Sequence, residues 1–215
     1  MDFILRPWKE SDAKTLARHL NNKKIWDNCR DGLPFPYTET DADTFIKYAS
    51  EQVEQNEYCI EANHEAIGNI GFVRGTDVER FNAEVGYWIS ETYWNKGLAT
   101  AALKRAIEHY FQRTDVIRLY ATVYEHNAAS MRVLEKAGFQ KTGIHHKACF
   151  KNGQFIDAHY YELLKNKSQA SLLCYHIYYY RLYFTEPNTS NERSRFITNR
   201  NLSMSYYFRS FTLSL

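Results

Sequence analysis

Between Ala83 and Arg113 the hydrophobic period of the chain changes from two to 3.6 across one short polar connection. Ala83 to Ser90 (Ala-Glu-Val-Gly-Tyr-Trp-Ile-Ser) alternates as a strand, and Thr92 to Lys96 is polar. From about Gly97 to Arg113 the apolar residues recur at helical steps: Leu98, Ala102, Ala106 and Tyr110, with Leu103, Ile107 and Phe111 beside them. Arg118 to Tyr124 alternates again. A strand, a long helix and a strand in that order form a crossover, and crossovers join parallel strands. One parallel pair is therefore expected in any fold the chain adopts.

The remainder favours antiparallel neighbours. Phe3 to Arg6 is a short strand closed by Pro7, and Ser11-Asp12 can cap a helix carrying Ala13, Leu16, Ala17 and Leu20. A second short helix is expected over Lys23 to Asn28. Pro34 and Pro36 make 32–37 a loop. Thr40 or Asp41 then caps a helix through about Glu54, with Phe45, Ile46 and Ala49 facing inward. Tyr58 to Ala62, Ala66 to Val73 and Ala83 to Ser90 read as a meander. Asn127 opens a helix with Met131, Leu134 and Ala137 inward, and Gly138 ends it. Phe139 to Phe150 and Phe155 to Leu164 are strands joined through Lys151-Asn152-Gly153-Gln154, whose Asn-Gly is a strong hairpin signal. The fold class is α/β (α+β): a mixed, mostly antiparallel central sheet flanked by helices.

This pattern covers residues 1–166. From 167 to 215 the texture breaks, with five tyrosines between Cys174 and Phe184, then a stretch rich in Ser, Asn and Arg. That segment reads as an appendage: a short apolar element near 170–184, then a poorly ordered end. The charge divides at the same place. The chain has 27 Lys/Arg and 25 Asp/Glu; five and two of these follow Ser168, leaving 22 and 23 in 1–167. A near-neutral main body gives no electrostatic case for nucleic acid. No run reaches the ~18 apolar residues of a membrane span, and the first residues lack the pattern of a secretory signal. Cys29, Cys59, Cys149 and Cys174 form no C-x-x-C pair. They read as free thiols in a reducing, cytoplasmic setting, and no metal site is expected.

The chemistry concentrates where the period changes. A helix start presents unpaired N–H groups and the positive end of the helix dipole, which together suit a phosphate. Gly97 and Ala99 are small enough for close approach, and Lys96 and Thr100 add a charge and a hydroxyl. The plainer reading is a helix that merely starts at a glycine turn. Neither the Walker string nor G-x-G-x-x-G occurs, so nucleotide hydrolysis and dinucleotide binding lose support.

Four pieces in this order resemble one family, the GNAT superfamily of acyl-CoA N-acyltransferases, in its branch of ribosomal-protein N-terminal acetyltransferases. They are Leu5-Arg6-Pro7 with Asp12-Ala13, Glu84 to Ile89, Trp94 to Thr100, and Asn127-Ala128-Ala129-Ser130 followed by Glu135 to Phe139. The resemblance spans about residues 3–165. It implies a sheet splayed between the fourth and fifth strands, with acetyl-CoA as co-substrate. Backbone amides of Asn95, Lys96, Gly97, Leu98, Ala99 and Thr100 would hold the pyrophosphate. Main-chain groups of Trp88, Ile89 and Ser90 would pair with the pantetheine arm, Asn127 would hold that arm, and Ser130 would face the thiol. Two positions depart from the pattern. Trp94 stands where many members have Gln or Arg, and Leu134 where many have a tyrosine that protonates the thiolate.

An acceptor amine is protonated at neutral pH and must lose a proton before attack, which a carboxylate can take. Glu84 is the first candidate base. By alternation Glu84, Gly86 and Trp88 share a face, expected beside the acceptor; the plainer reading is a solvent-facing strand residue. Ser130 is the candidate donor to the thiolate, against a first-turn serine bonding its own backbone. Asn127 can also be an N-cap. His145 and His146 could line the acceptor site, and Tyr37 and Phe35 could wall it, although surface placement and aromatic packing are the plainer readings. No cysteine sits in a relay motif, which favours direct attack in a ternary complex. The expected acceptor is a protein N-terminus or a small amine, on a monomer or homodimer; the alternative is a non-catalytic acyl-CoA-binding module.

Overall fold

The structure is a computed structural model and describes residues 2–166 except Val53; the expectations for 167–215 fall outside the described residues. Its strands are β1 (Ile4–Arg6), β2 (Glu57–Ala62), β3 (Glu65–Arg74), β4 (Asn82–Ile89), β5 (Arg118–Tyr124), β6 (Gln140–Lys151) and β7 (Gln154–Leu164). Its α-helices are α1 (Ala13–Leu20), α2 (Lys23–Trp26), α3 (Glu39–Glu51), α4 (Leu98–Arg113) and α5 (Ala128–Lys136). One seven-stranded sheet runs in the order β1-β2-β3-β4-β5-β7-β6. Only the β4–β5 pairing is parallel. This is the mixed sheet expected, with α4 as the crossover.

Strand β4 separates two cores by the alternation of its side chains. Ala83, Val85, Tyr87 and Ile89 pack with the buried faces of α4 and α5. Trp88 points the other way, into a cluster built from Trp8, α1, α3, Leu33 and Tyr37. Glu84, two pleats before Trp88, lies on this second face.

The β4–β5 pairing is short. It consists of Asn82–Arg118, Ala83–Leu119 and Glu84–Tyr120 and then stops, although both strands continue. Strand β4 is paired with β3 from Ala83 to Ile89, and β5 with β7 along its whole length. Each half-sheet is thus complete in itself, and the two diverge beyond Glu84. The β6–β7 turn puts Asn152 at φ 51° and Gly153 at φ 79°, the two positive values of a tight hairpin turn.

Two helix starts differ from the sequence reading. Helix α3 is capped by Thr38 rather than Thr40 or Asp41. Thr38 Oγ1 accepts from Asp41 N at 3.2 Å and Asp41 Oδ2 accepts from Thr38 N at 2.8 Å, a reciprocal capping box. Asp12 makes no cap bond to α1. Its carboxylate instead accepts from Arg6 Nη1 at 2.7 Å and from Lys9 N at 2.9 Å, because a 3-10 turn over Glu10–Asp12 precedes the helix. The helix expected to reach Asn28 stops at Trp26, and the one expected to reach Glu54 stops at Glu51.

One carboxyl is buried without a counter-charge. Glu57 is 5% exposed. It accepts from Asn69 Nδ2 at 2.7 Å, and Asn69 Oδ1 in turn accepts from Trp8 Nε1 at 2.9 Å. Burial pushes the Glu57 carboxyl up to about 7, with the amide bond drawing it partly back. The folded chain therefore binds this proton more tightly than the unfolded chain, whose carboxyl titrates near 4.5. The stability that results is present below about 4.5 and is lost as pH rises through about 7. Glu57→Gln should thus exceed the parent by up to about 3 kcal/mol at pH 8, with the difference closing by pH 4.5. Denaturant melts at both pH values check this; an equal margin at both would contradict it.

Candidate active site

The turn into α4 is built for an exposed helix start. Asn95 has φ 59° and Gly97 has φ 73°, so two of three consecutive residues are left-handed. A side chain on Gly97 would meet nothing within 4 Å. The glycine is therefore required by the backbone conformation and not by lack of room. Gly97 occupies the N-cap, no side chain caps the helix, and the first turn holds no acid. The first intrahelical bond beyond it is Ala101 N to Gly97 O at 3.2 Å. The amides of Leu98, Ala99 and Thr100 are thus left facing a cleft.

That cleft has a volume of ≈ 330 Å³. One wall is Tyr93, Trp94, Asn95 and the first turn of α4, and the other is Ala129, Arg132, Val133 and Lys136 of α5. Small residues and uncapped amides on one wall, with two cations on the other, fit a diphosphate. Lys96, expected at this site, holds its ammonium 5.4 Å from the Tyr93 ring centroid. Arg132 and Lys136 were missed in the sequence. They stand four apart on α5, on the side turned from Leu134, and that spacing was a usable signal.

Beside the splay, several main-chain groups are already engaged. Ser90 N donates to Ile67 O at 2.8 Å, and Trp94 Nε1 donates to Ile89 O at 2.8 Å. Trp94, which departs from the family pattern, therefore braces the end of β4. The Trp88 indole is fully buried, and its Nε1 has no partner among the described residues.

At the start of α5, Asn127 is the N-cap, its Oδ1 accepting from Ser130 N at 3.0 Å. Ser130 is completely buried, and its Oγ lies 2.8 Å from the hydroxyl of Tyr87 on β4. Tyr87 was not singled out from the sequence. Alternation turns it toward the helices, but nothing local to β4 names its partner 43 residues away. Leu134 is buried one turn beyond Ser130 and offers no donor.

On the opposite face Glu84 is half-buried and ion-paired with Arg30, a residue of the 21–40 segment. The β6–β7 tip docks on the same segment. Lys151, with its side chain 3% exposed, donates to Asp31 Oδ1 at 2.6 Å and stands 3.3 Å from the Trp26 ring centroid. Asn152 Nδ2 donates to Asp27 Oδ1 at 2.7 Å. His145 lies against Tyr160 with ring centroids 4.1 Å apart and the planes tilted by 34°, and His146 Nδ1 is 2.7 Å from Asp157 Oδ2. Tyr37 is buried in the second core, whereas Phe35 is 41% exposed against Trp26. Among the described residues Cys29, Cys59 and Cys149 form no disulfide. Among the described residues no group of three His, Cys, Asp or Glu could hold a metal ion, and no helix is long and apolar enough to cross a membrane.

Comparison with known proteins agrees with this geometry. YoaA of Bacillus subtilis, an uncharacterized N-acetyltransferase, is 35% identical over 101 residues, 47% of this chain and 56% of that protein. The chain thus spans little more than half of that relative. Spermidine N(1)-acetyltransferase of Escherichia coli K12 is 29% identical over 154 residues, 72% of this chain and 81% of that protein. Among solved structures, the ribosomal-protein-S5-alanine acetyltransferase of Vibrio fischeri superposes with a TM-score of 0.70 at 22% identity, covering 78% of this chain and 95% of that one. RimL, an L7/L12 alpha-N-protein acetyltransferase solved with coenzyme A, gives 0.65 at 22%, covering 75% and 93%. The model of the acetyltransferase (GNAT) domain matches residues 2–140. With its splayed sheet and the uncapped start of α4, the chain belongs to the GNAT acetyltransferase family.

Proposed function

We propose that this chain transfers an acetyl group from acetyl-CoA to a primary amine, by direct attack in a ternary complex. The observation that carries the reading is the divergence of β4 and β5 after Glu84, with the uncapped α4 start at one end of the gap and the Ser130 hydroxyl beside it. Amides of Leu98, Ala99 and Thr100, with Arg132 and Lys136 opposite, hold the pyrophosphate. Main-chain groups from Trp88 to Ser90 and Asn127 flank the pantetheine arm. The bound co-substrate supplies an activated acyl carbonyl; the chain positions it, handles the amine's proton and meets the charge on the departing sulfur.

Glu84, held by Arg30 at the edge of the splay, is the carboxylate that attracts the ammonium and accepts its proton. Ser130 donates a hydrogen bond to the thiolate. The acceptor is a protein N-terminus or a small amine such as a polyamine, as the names of RimL and the spermidine enzyme suggest. Catalysis belongs to residues 1–166, and the buried unbridged Cys29 and Cys59 suit a reducing cytoplasm.

Thiol release from acetyl-CoA over a panel of peptides, polyamines and amino sugars tests the reading. At least one amine should accelerate release, and Glu84→Gln and Ser130→Ala should each slow it by about 10²-fold. Binding of acetyl-CoA with no amine-dependent release would instead identify a binding module.

Reversing Arg132 or Lys136 to Glu should weaken acetyl-CoA binding by about tenfold or more, the scale of one lost charge-assisted contact. Calorimetric titration checks this, and unchanged affinity would remove α5 from the phosphate site. Residues 1–166 alone should bind acetyl-CoA as tightly as the full chain; a loss of binding would refute the placement of the catalytic unit.

A further inference from the structure

We propose that Tyr87 is a positioning residue for Ser130, holding the serine hydroxyl so that its single proton turns to the departing sulfur. The inference rests on the reading of Ser130 as the thiolate donor and adds the group that makes that donation effective.

The geometry is specific. Asn127 fixes the Ser130 backbone by accepting from its N–H at 3.0 Å. Tyr87 fixes the side chain from the opposite wall, with 2.8 Å between the two hydroxyl oxygens. Both residues are buried, at 1% and 0% exposure, so water does not compete for the contact. A serine in the first turn of a helix otherwise tends to bond its own backbone. Tyr87 offers it a better partner.

The same tyrosine has two acceptors on one residue, since Ser130 O lies 3.3 Å from its hydroxyl against 2.8 Å for Oγ. A hydroxyl has one proton to give. While the serine proton points at Tyr87, the tyrosine proton can rest on Ser130 O. When the serine proton swings to a charged sulfur, the tyrosine proton can move onto Oγ and leave no lone pair stranded. Burial pushes the Tyr87 hydroxyl far up from its ordinary value, so it keeps its proton throughout. In the step itself the carbon–sulfur bond breaks with its electron pair on sulfur. Ser130 donates a hydrogen bond to that charge, no proton leaves Tyr87, and the thiolate is later protonated by solvent.

This assigns a hydroxyl to the neighbourhood that Leu134 leaves bare. Ser130 and Leu134 are i and i+4 on α5, both buried, and Tyr87 reaches that face from β4.

The test is a double-mutant cycle on the full chain, with kcat and the acetyl-CoA KM measured at saturating amine. Tyr87→Phe should lower kcat by about tenfold, the scale of one hydrogen bond, with KM within about twofold. Adding it to Ser130→Ala should cost nothing further. Full kcat in Tyr87→Phe beside a slow Ser130→Ala would overturn the proposal, as would losses that multiply in the double variant. If Ser130→Ala itself keeps full kcat, the reading of Ser130 has failed first, and the two failures are thereby separated. Thermal melts report whether Tyr87→Phe folds. Should it not, a fluorinated tyrosine at position 87 keeps the shape while making the hydroxyl a stronger donor; a shifted kcat is expected, and an unmoved kcat would overturn the proposal.

Discussion

Three residue pairs join the halves of this sheet. Asn82–Arg118, Ala83–Leu119 and Glu84–Tyr120 are the whole of the parallel seam, and beyond it β4 and β5 diverge. An unpaired strand edge normally invites another strand. Here the unpaired edges of β4 and β5 are inside the molecule, floored by α4 and α5. The structure can tolerate such an opening because β4 is fully paired to β3 and β5 to β7, so neither strand depends on the seam for its own order.

The seam also distributes the labour between the faces of β4. Odd-numbered residues from Ala83 to Ile89 enter the helix-side core, and from this row Tyr87 meets Ser130. Even-numbered residues face α1 and α3, and from this row Glu84 meets Arg30. A one-residue slip of β4 would exchange the rows and send the phenol to the α1 and α3 side. The register with β3, continuous from Ala83 to Ile89, therefore holds the Tyr87–Ser130 and Arg30–Glu84 contacts as well as the core.

What could be read from the sequence follows from what is local. The change of period at Ser90–Gly97, the crossover, and the Asn152–Gly153 hairpin are set by neighbouring residues, and all stand in the structure as expected. The cap expected at Thr40 or Asp41 lies two or three residues earlier, at Thr38, because all three are good cap residues and only the backbone decides between them. The pairs Tyr87–Ser130, Arg30–Glu84 and Lys151–Asp31 join residues 43, 54 and 120 apart. Glu84 and Ser130 stand out in the sequence, but their partners Arg30 and Tyr87 read alone as ordinary positions, as do Lys151 and Asp31. The alternation of β4 gives a face for Tyr87 and for Glu84, but a face is not a partner.

The last of these pairs ties the hairpin tip to the 21–40 segment. Lys151 belongs to the β6–β7 half and Asp31 to the helical segment covering the β1–β4 half, so their contact spans the gap that the seam leaves open. Lys151 is nearly fully buried between Asp31 and the face of Trp26, whereas Asp31 is 65% exposed. The lysine therefore bears most of the desolvation cost, which the Asp31 carboxylate and the face of Trp26 offset. Opening the hairpin away from α2 would break these two contacts and the Asn152–Asp27 hydrogen bond. The two halves of the sheet are thus joined twice, by the short backbone seam at Asn82–Glu84 and by side-chain contacts between the hairpin tip and the 21–40 segment.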